Sequence, residues 1–425
     1  MSYVTKSITE LAASISRNTA IMNDYYVAHN LPLPSLDVDS PTTIAIPGSE
    51  KAVREAHEQA IADSFTLHHV MKGPREMLMG LAANSANDAL SLQAVRRFKI
   101  ADKFPLDEKV SFEFLAKACG VNVIDLSRLI RHAMTNFIFR EEDGLVTHTA
   151  ASRALRENVP LTNLLEMLTE EMFKGAPHTL DALTKFNGFH APNNSGFSLG
   201  YRTDKGFYDE TRQYPDRAQR FAAAMGAFAA EKSLEPLATG WDWGAVDAAK
   251  GTVVDIGGGW GPVCIGLAKR YPNTNYIVQD FADVVADGPA HVPDELKDRI
   301  TFQSYNMMVG EQPVKDAAVY FMRAILHNWP DACCVTILRN TLPGRLALQK
   351  GAHILVQDWV WGAPWSLPQY TEKYFRSWDL NMTTLYGSRE RSFADWKQLI
   401  NEANPGLSVR LYEIGADQLL DISWA

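Results

Sequence analysis

TVVDIGGGWGPVCIGLAKRYP, residues 252–272, is the stretch that decides the fold. A short apolar run carries Asp255 near its end, a glycine turn spans Gly257 to Gly261, and Pro262 opens a helix at a position where a missing N–H costs nothing. Strand, tight turn and helix in that order form the first half of a βαβ unit. The later runs NYIVQ, ITFQS, AAVYF and HILVQD have strand length and alternate with helical spacing, as in a parallel sheet built from crossovers. Residues 246–425 therefore read as an α/β domain with a doubly wound, Rossmann-like sheet.

Gly257, Gly259 and Gly261 let the backbone bend sharply and approach a ligand at the carboxyl edge of the sheet, where doubly wound folds bind. Two nucleotide classes do not fit. The dinucleotide fingerprint needs a third glycine where Pro262 stands, and no G-x-x-x-x-G-K is present to cradle a triphosphate. Asp255 before the turn and Asp280, 19 residues past Gly261, suit a ligand with an ammonium group and free ribose hydroxyls. S-adenosylmethionine has both, and no metal is expected.

At 425 residues and 46% hydrophobic content the chain is long enough for more than one core. Residues 1–155 read as a mostly helical domain: ITELAASI and AVREAHEQAIADSF have helical spacing, LPLPSLDVDSPTTIAIPGS separates them as a loop, and residues 105–149 give helix, turn at Gly120, helix and a two-stranded wing at EEDG. That is a winged-helix pattern. Arg128, Arg131 and His132 on its second helix invite a DNA-binding reading. Against it stand nearby Asp125, Glu141, Glu142 and Asp143 and a net charge of −9, from 41 basic and 50 acidic residues, which opposes adsorption to nucleic acid or anionic lipid. We read the module as a dimerisation unit of a homodimer, and residues 156–245 as connecting helices that contribute to a substrate pocket. Four cysteines without a CxxC, no signal peptide and no long apolar span point to reduced thiols in a cytoplasmic protein.

FMRAILHNWPDACC, residues 321–334, places His327 where an apolar run breaks into a turn. Taken alone, such a histidine most simply satisfies a backbone carbonyl. Met225, Phe228, Trp378, Met382 and Tyr386, on helices flanking the sheet strands, are candidate pocket walls, although the same spacing suits core packing.

VVDIGGGWGPVCIGLAKRYP together with FMRAILHNWPDACC and GSRERSFADW resembles the plant and fungal O-methyltransferases that use S-adenosylmethionine, and the resemblance spans most of the chain. It implies that Gly257, Gly259 and Gly261 line the cofactor, Asp280 takes the ribose, Asn306 and Met307 surround the adenine, and Arg323 contacts the far side. It places His327 as general base, flanked and oriented by Asp358 and Glu390. Two residues depart from the family pattern: Asn306 replaces an acid, and His327-Asn328-Trp329 replaces H-D-W, which puts Asn328 beside the substrate. An asparagine carbonyl can still accept from an adenine amino group. The implied activity is methylation of a phenol or enol of a small aromatic or polyketide-like molecule. The alternative is a pericyclase of the same fold that binds the cofactor without consuming it.

Overall fold

The computed structural model describes residues 6–44, 46–188, 191–231, 233–342, 351–415 and 417–424, with the backbone alone for 227–231. Contacts gather the chain into two units: Met1–Phe173 with Asp216–Ala227 and Pro364–Ser377, and Lys174–Pro215 with Phe228–Ala363 and Trp378–Ala425.

The first unit is mostly helical. Ser7 caps the helix Ile8–Ala28 through a reciprocal bond with Glu10, and the next helix, Lys51–Arg97, kinks where Gly73 adopts φ 71° just before Pro74. The winged-helix pattern is present. Helix Phe112–Cys119 ends at Gly120 in the left-handed region, and helix Val123–Thr135 follows. Strands β1 (Phe139–Glu142) and β2 (Leu145–His148) then pair around Asp143-Gly144, both with positive φ, as a two-residue hairpin turn requires. Its basic groups are already engaged. Arg131 makes a fork of 2.8 and 2.9 Å to Glu141, Arg128 lies 3.9 Å from Asp125, and His132 bonds Ser91.

The second unit is built on a seven-stranded sheet: β3 (Thr252–Ile256), β4 (Asn275–Asp280), β5 (Ile300–Ser304), β6 (Val319–Arg323), β7 (His353–Gln357), β10 (Leu407–Ile414) and β11 (Asp417–Trp424). A two-stranded parallel pair, β8 (Val360–Trp361) with β9 (Arg391–Ser392), stands apart from it. The order β10-β11-β7-β6-β3-β4-β5 is parallel from β7 to β5 and antiparallel where β11 meets β7 and β10. The five strands expected from sequence form the parallel part. The closing hairpin makes the sheet mixed.

Alternation decides which helices cover which face. Val254, Ile256, Tyr320, Met322, Ile354 and Val356 pack against helices Asp331–Thr341 and Phe393–Ala403. Val253, Val319, Phe321 and Leu355 point to the other face, against helix Pro262–Arg270 and Trp243. From β3 the chain steps outward to β4 and β5, then returns to the opposite side of β3 with β6. The order therefore reverses between β3 and β6, the place where open α/β sheets hold ligands. Among the described residues no helix is long and apolar enough to cross a membrane.

Candidate active site

Both sequence motifs come out at the carboxyl ends of the two strands flanking that reversal. Gly257 and Ile325, one from each motif, approach so closely that a Cβ on the glycine would fall 2.4 Å from Ile325 Cδ1. Gly257, Gly259 and Gly261 have φ of 75°, 59° and 87°, which side chains rarely adopt. Above Gly259 there is open space within 4 Å, so the turn presents bare backbone to a ligand. Its N–H donates to Asp280 Oδ2 at 3.0 Å, and Phe281 N–H donates to Oδ1 at 2.8 Å. Two of the carboxylate's four lone-pair directions take no hydrogen bond among the described residues. Burial raises the Asp280 carboxyl above its ordinary value, against those two bonds and the Arg212 charge.

Asp255 lies beneath the turn. It is buried, takes a bond from the Cys264 thiol at 3.5 Å, and would sit 2.7 Å from a Cβ on Gly258; burial pushes its carboxyl up to about 7. It underpins the loop and leaves no open face for an ammonium group. Arg323, ending β6, feels the charges of Asp417 and Asp255 against a burial that lowers it, and its guanidinium makes no hydrogen bond among the described residues. The Asn306 side-chain carbonyl accepts from Met308 N–H at 3.0 Å, which uses one of its two lone pairs. Asn340 holds the Met307 carbonyl at 2.8 Å.

His327 sits in a single turn of 3₁₀ helix, Leu326–Asn328, after β6. Its Nδ1 lies 2.8 Å from Glu390 Oε1; an ionised carboxylate only accepts, so Nδ1 carries the proton and Nε2 is left over. The side chain is 20% exposed, enough for a substrate to reach. Asp358, directly after β7, does something else. Its two oxygens accept the backbone N–H groups of Ile325 (3.2 Å) and His327 (3.1 Å), so it shapes the turn and acts on the ring by charge alone. Burial favours neutral imidazole, but Glu390, by charge and hydrogen bond, and then Asp358 override it, lifting His327 to about 9.

The turn is held from several sides. Ala324 adopts φ 53°, and Asn328 Nδ2 donates back to its carbonyl at 3.0 Å, which is where the structure puts the side chain expected beside the substrate. Trp329 stacks on Tyr208 (5.7 Å), which stacks on Tyr386 (5.4 Å). Burial pushes the Tyr208 hydroxyl well above its ordinary value. Trp378, Met382 and Tyr386 recur every four residues on helix Gln369–Tyr386, with Met382 and Tyr386 buried and Trp378 half-buried. Met225 is half-buried in the first unit, and the side chain of Phe228 lies outside the described residues. Sequence reasoning missed Tyr208, Arg212 and Arg391. Arg212 lies 3.3 Å over the ring of Phe281, the residue after Asp280.

This geometry sets an open glycine turn beside a histidine with a carboxylate partner. An O-methyltransferase domain matches residues 247–405. The O-methyltransferase pyvH of Aspergillus violaceofuscus is 34% identical over 98% of this chain and 98% of its own length. The chain belongs to the O-methyltransferase family. That makes it an S-adenosylmethionine-dependent enzyme, as the motif resemblance implied. The chlorophenol O-methyltransferase of Trichoderma longibrachiatum is 32% identical over 93% of this chain and 85% of that protein. Among solved structures, OxaC superposes with a TM-score of 0.77 at 18% identity, covering 98% of this chain and all of that one. LepI gives 0.70 at 20% identity, covering 97% of this chain and all of that one. At those identities the structures share the fold with this O-methyltransferase.

Proposed function

We propose that this O-methyltransferase methylates a phenolic or enolic hydroxyl of a small aromatic or polyketide-like metabolite, with His327 as general base. The observation that carries the reading is the 2.8 Å bond from His327 Nδ1 to Glu390, placed beside the glycine turn at the sheet's reversal. S-adenosylmethionine supplies an electrophilic methyl group when bound. Gly257, Gly259 and Gly261 would admit its backbone-close parts, Asp280 its ribose, Arg323 its carboxylate, and the Asn306 amide and Met307 its adenine.

A phenol with pKa near 10 is a poor nucleophile until its proton leaves. His327 Nε2 takes that proton while Glu390 stabilises the resulting imidazolium and fixes the tautomer. With His327 at about 9 the free ring is imidazolium at neutral pH and first passes its Nε2 proton to solvent; the neutral ring then takes the proton of a phenol of closely matched pKa. Methyl displacement needs in-line placement, so the aromatic wall Trp329–Tyr208–Tyr386 contributes by orienting a planar acceptor.

The relative named for chlorophenol supports a phenolic acceptor. Incubation of the purified protein with cofactor and a panel of phenols and enols, followed by mass spectrometry, should show a gain of one methylene unit matched by S-adenosylhomocysteine. Rearranged product with no S-adenosylhomocysteine would favour the pericyclase reading; a pericyclic reaction enzyme of solved structure shares the fold, with a TM-score of 0.67 at 22% identity. We place the reaction in the cytoplasm and in a homodimer held by residues 1–155. Exposed Val70, Met71, Leu78, Met79 and Leu81 along helix Lys51–Arg97 support the latter.

A further inference from the structure

We propose that Arg391 is a positioning residue: its guanidinium clamps the backbone on both sides of His327, and so sets where Glu390, the residue beside it in the chain, meets the imidazole. The proposal rests on the reading of His327 as base. Arg391 is 1% exposed, and a cation that deep is tolerated only when its donors are satisfied. All five are. Nε and Nη2 donate to Asp331 Oδ1 at 2.9 and 2.6 Å, Nη2 also to the Trp329 carbonyl at 2.9 Å, and Nη1 to the carbonyls of Leu326 at 3.1 Å and Arg389 at 3.5 Å.

The acceptors are what make this a clamp. Leu326 and Trp329 bracket His327, and Asp331 opens the helix into which the turn runs. Cys334 also reaches both carbonyls, at 3.1 and 3.2 Å, and Ser388 reaches that of Trp329 at 2.7 Å. Neither is bonded in the chain to Glu390. Glu390, just before strand β9, bonds the ring, and Arg391, the first residue of that strand, grips the backbone carrying the ring, so ring and carboxylate cannot shift independently. Asp379 completes the mount by accepting Glu390 N–H at 2.8 Å. Lysine in this place would keep the charge and lose the planar fork that serves several acceptors at once.

The test needs no substrate. The groups acting on the imidazole are Glu390 and Asp358, which favour the cation, and Arg391, which opposes it, with Asp331 facing Arg391. Histidine-labelled protein is titrated by NMR, the His327 signal being assigned by its loss in His327→Gln among the 11 histidines. His353, whose Nδ1 lies 2.6 Å from Asp421, serves as an unconnected control. In Arg391→Lys the His327 midpoint should fall by about one pH unit or more toward 6.5, because charge is kept while the ring–carboxylate bond loosens. The His353 midpoint and the affinity for S-adenosylhomocysteine should not change. A His327 midpoint equal to wild type in a folded Arg391→Lys overturns the proposal. If that variant does not fold, Asp331→Asn decides, with a smaller fall expected and an unchanged midpoint counting against the clamp. These outcomes stand whether or not His327 proves to be the base, which activity of His327→Ala decides separately.

Discussion

His327 carries the account at the scale of single residues, and its charge state has a consequence for pH. With Glu390 and Asp358 beside it the imidazole is raised to about 9 from an ordinary 6.5, so protons bind more tightly to the folded than to the unfolded chain. Stability from this pairing is fully present below about pH 6.5 and is lost as pH rises through about 9. Melting temperatures from pH 6 to 10 should therefore fall more steeply for wild type than for His327→Gln. Parallel curves would mean that the histidine is neutral at rest. The histidine and both acids were legible in the sequence, but their division of labour was not. Motif spacing puts Asp358 near the turn without saying that its oxygens face backbone N–H groups, and a buried arginine such as Arg391 has no periodic signature.

The element that matters most is the turn from Ala324 to Trp329. A left-handed alanine costs roughly 1 kcal/mol, and the Asn328 side chain offsets it by donating to the Ala324 carbonyl. An amide can donate here, whereas an ionised carboxylate at the same place would face the carbonyl as a second acceptor. Asn328→Asp should therefore destabilise by about 1–2 kcal/mol and lower kcat, with Asn328→Ala milder, as urea unfolding and steady-state rates would show. An Asp variant as stable and as fast as wild type would remove Asn328 from the turn. The same logic explains what sequence reading handled well at this scale. Strand, glycine turn and helix at 252–272 each have local signatures, whereas the hairpin β10–β11 was passed over although Leu407, Val409 and Leu411 alternate before the Gly415 turn.

For the molecule as a whole, the exposed apolar side chains of helix Lys51–Arg97 are the feature that motivates the proposed homodimer. Sedimentation should give a dimer at micromolar concentration, and a chain lacking residues 1–100 should become monomeric or aggregate; a monomeric full-length protein would contradict the dimer. Proton removal by His327 during methyl transfer is read out by kcat of His327→Ala as a function of pH, with S-adenosylhomocysteine affinity measured alongside. If His327 is the base, the rate falls about 10²- to 10⁴-fold near neutral pH and partly recovers at high pH as the acceptor ionises unaided, while affinity stays nearly unchanged. A variant that keeps its rate at neutral pH would contradict it.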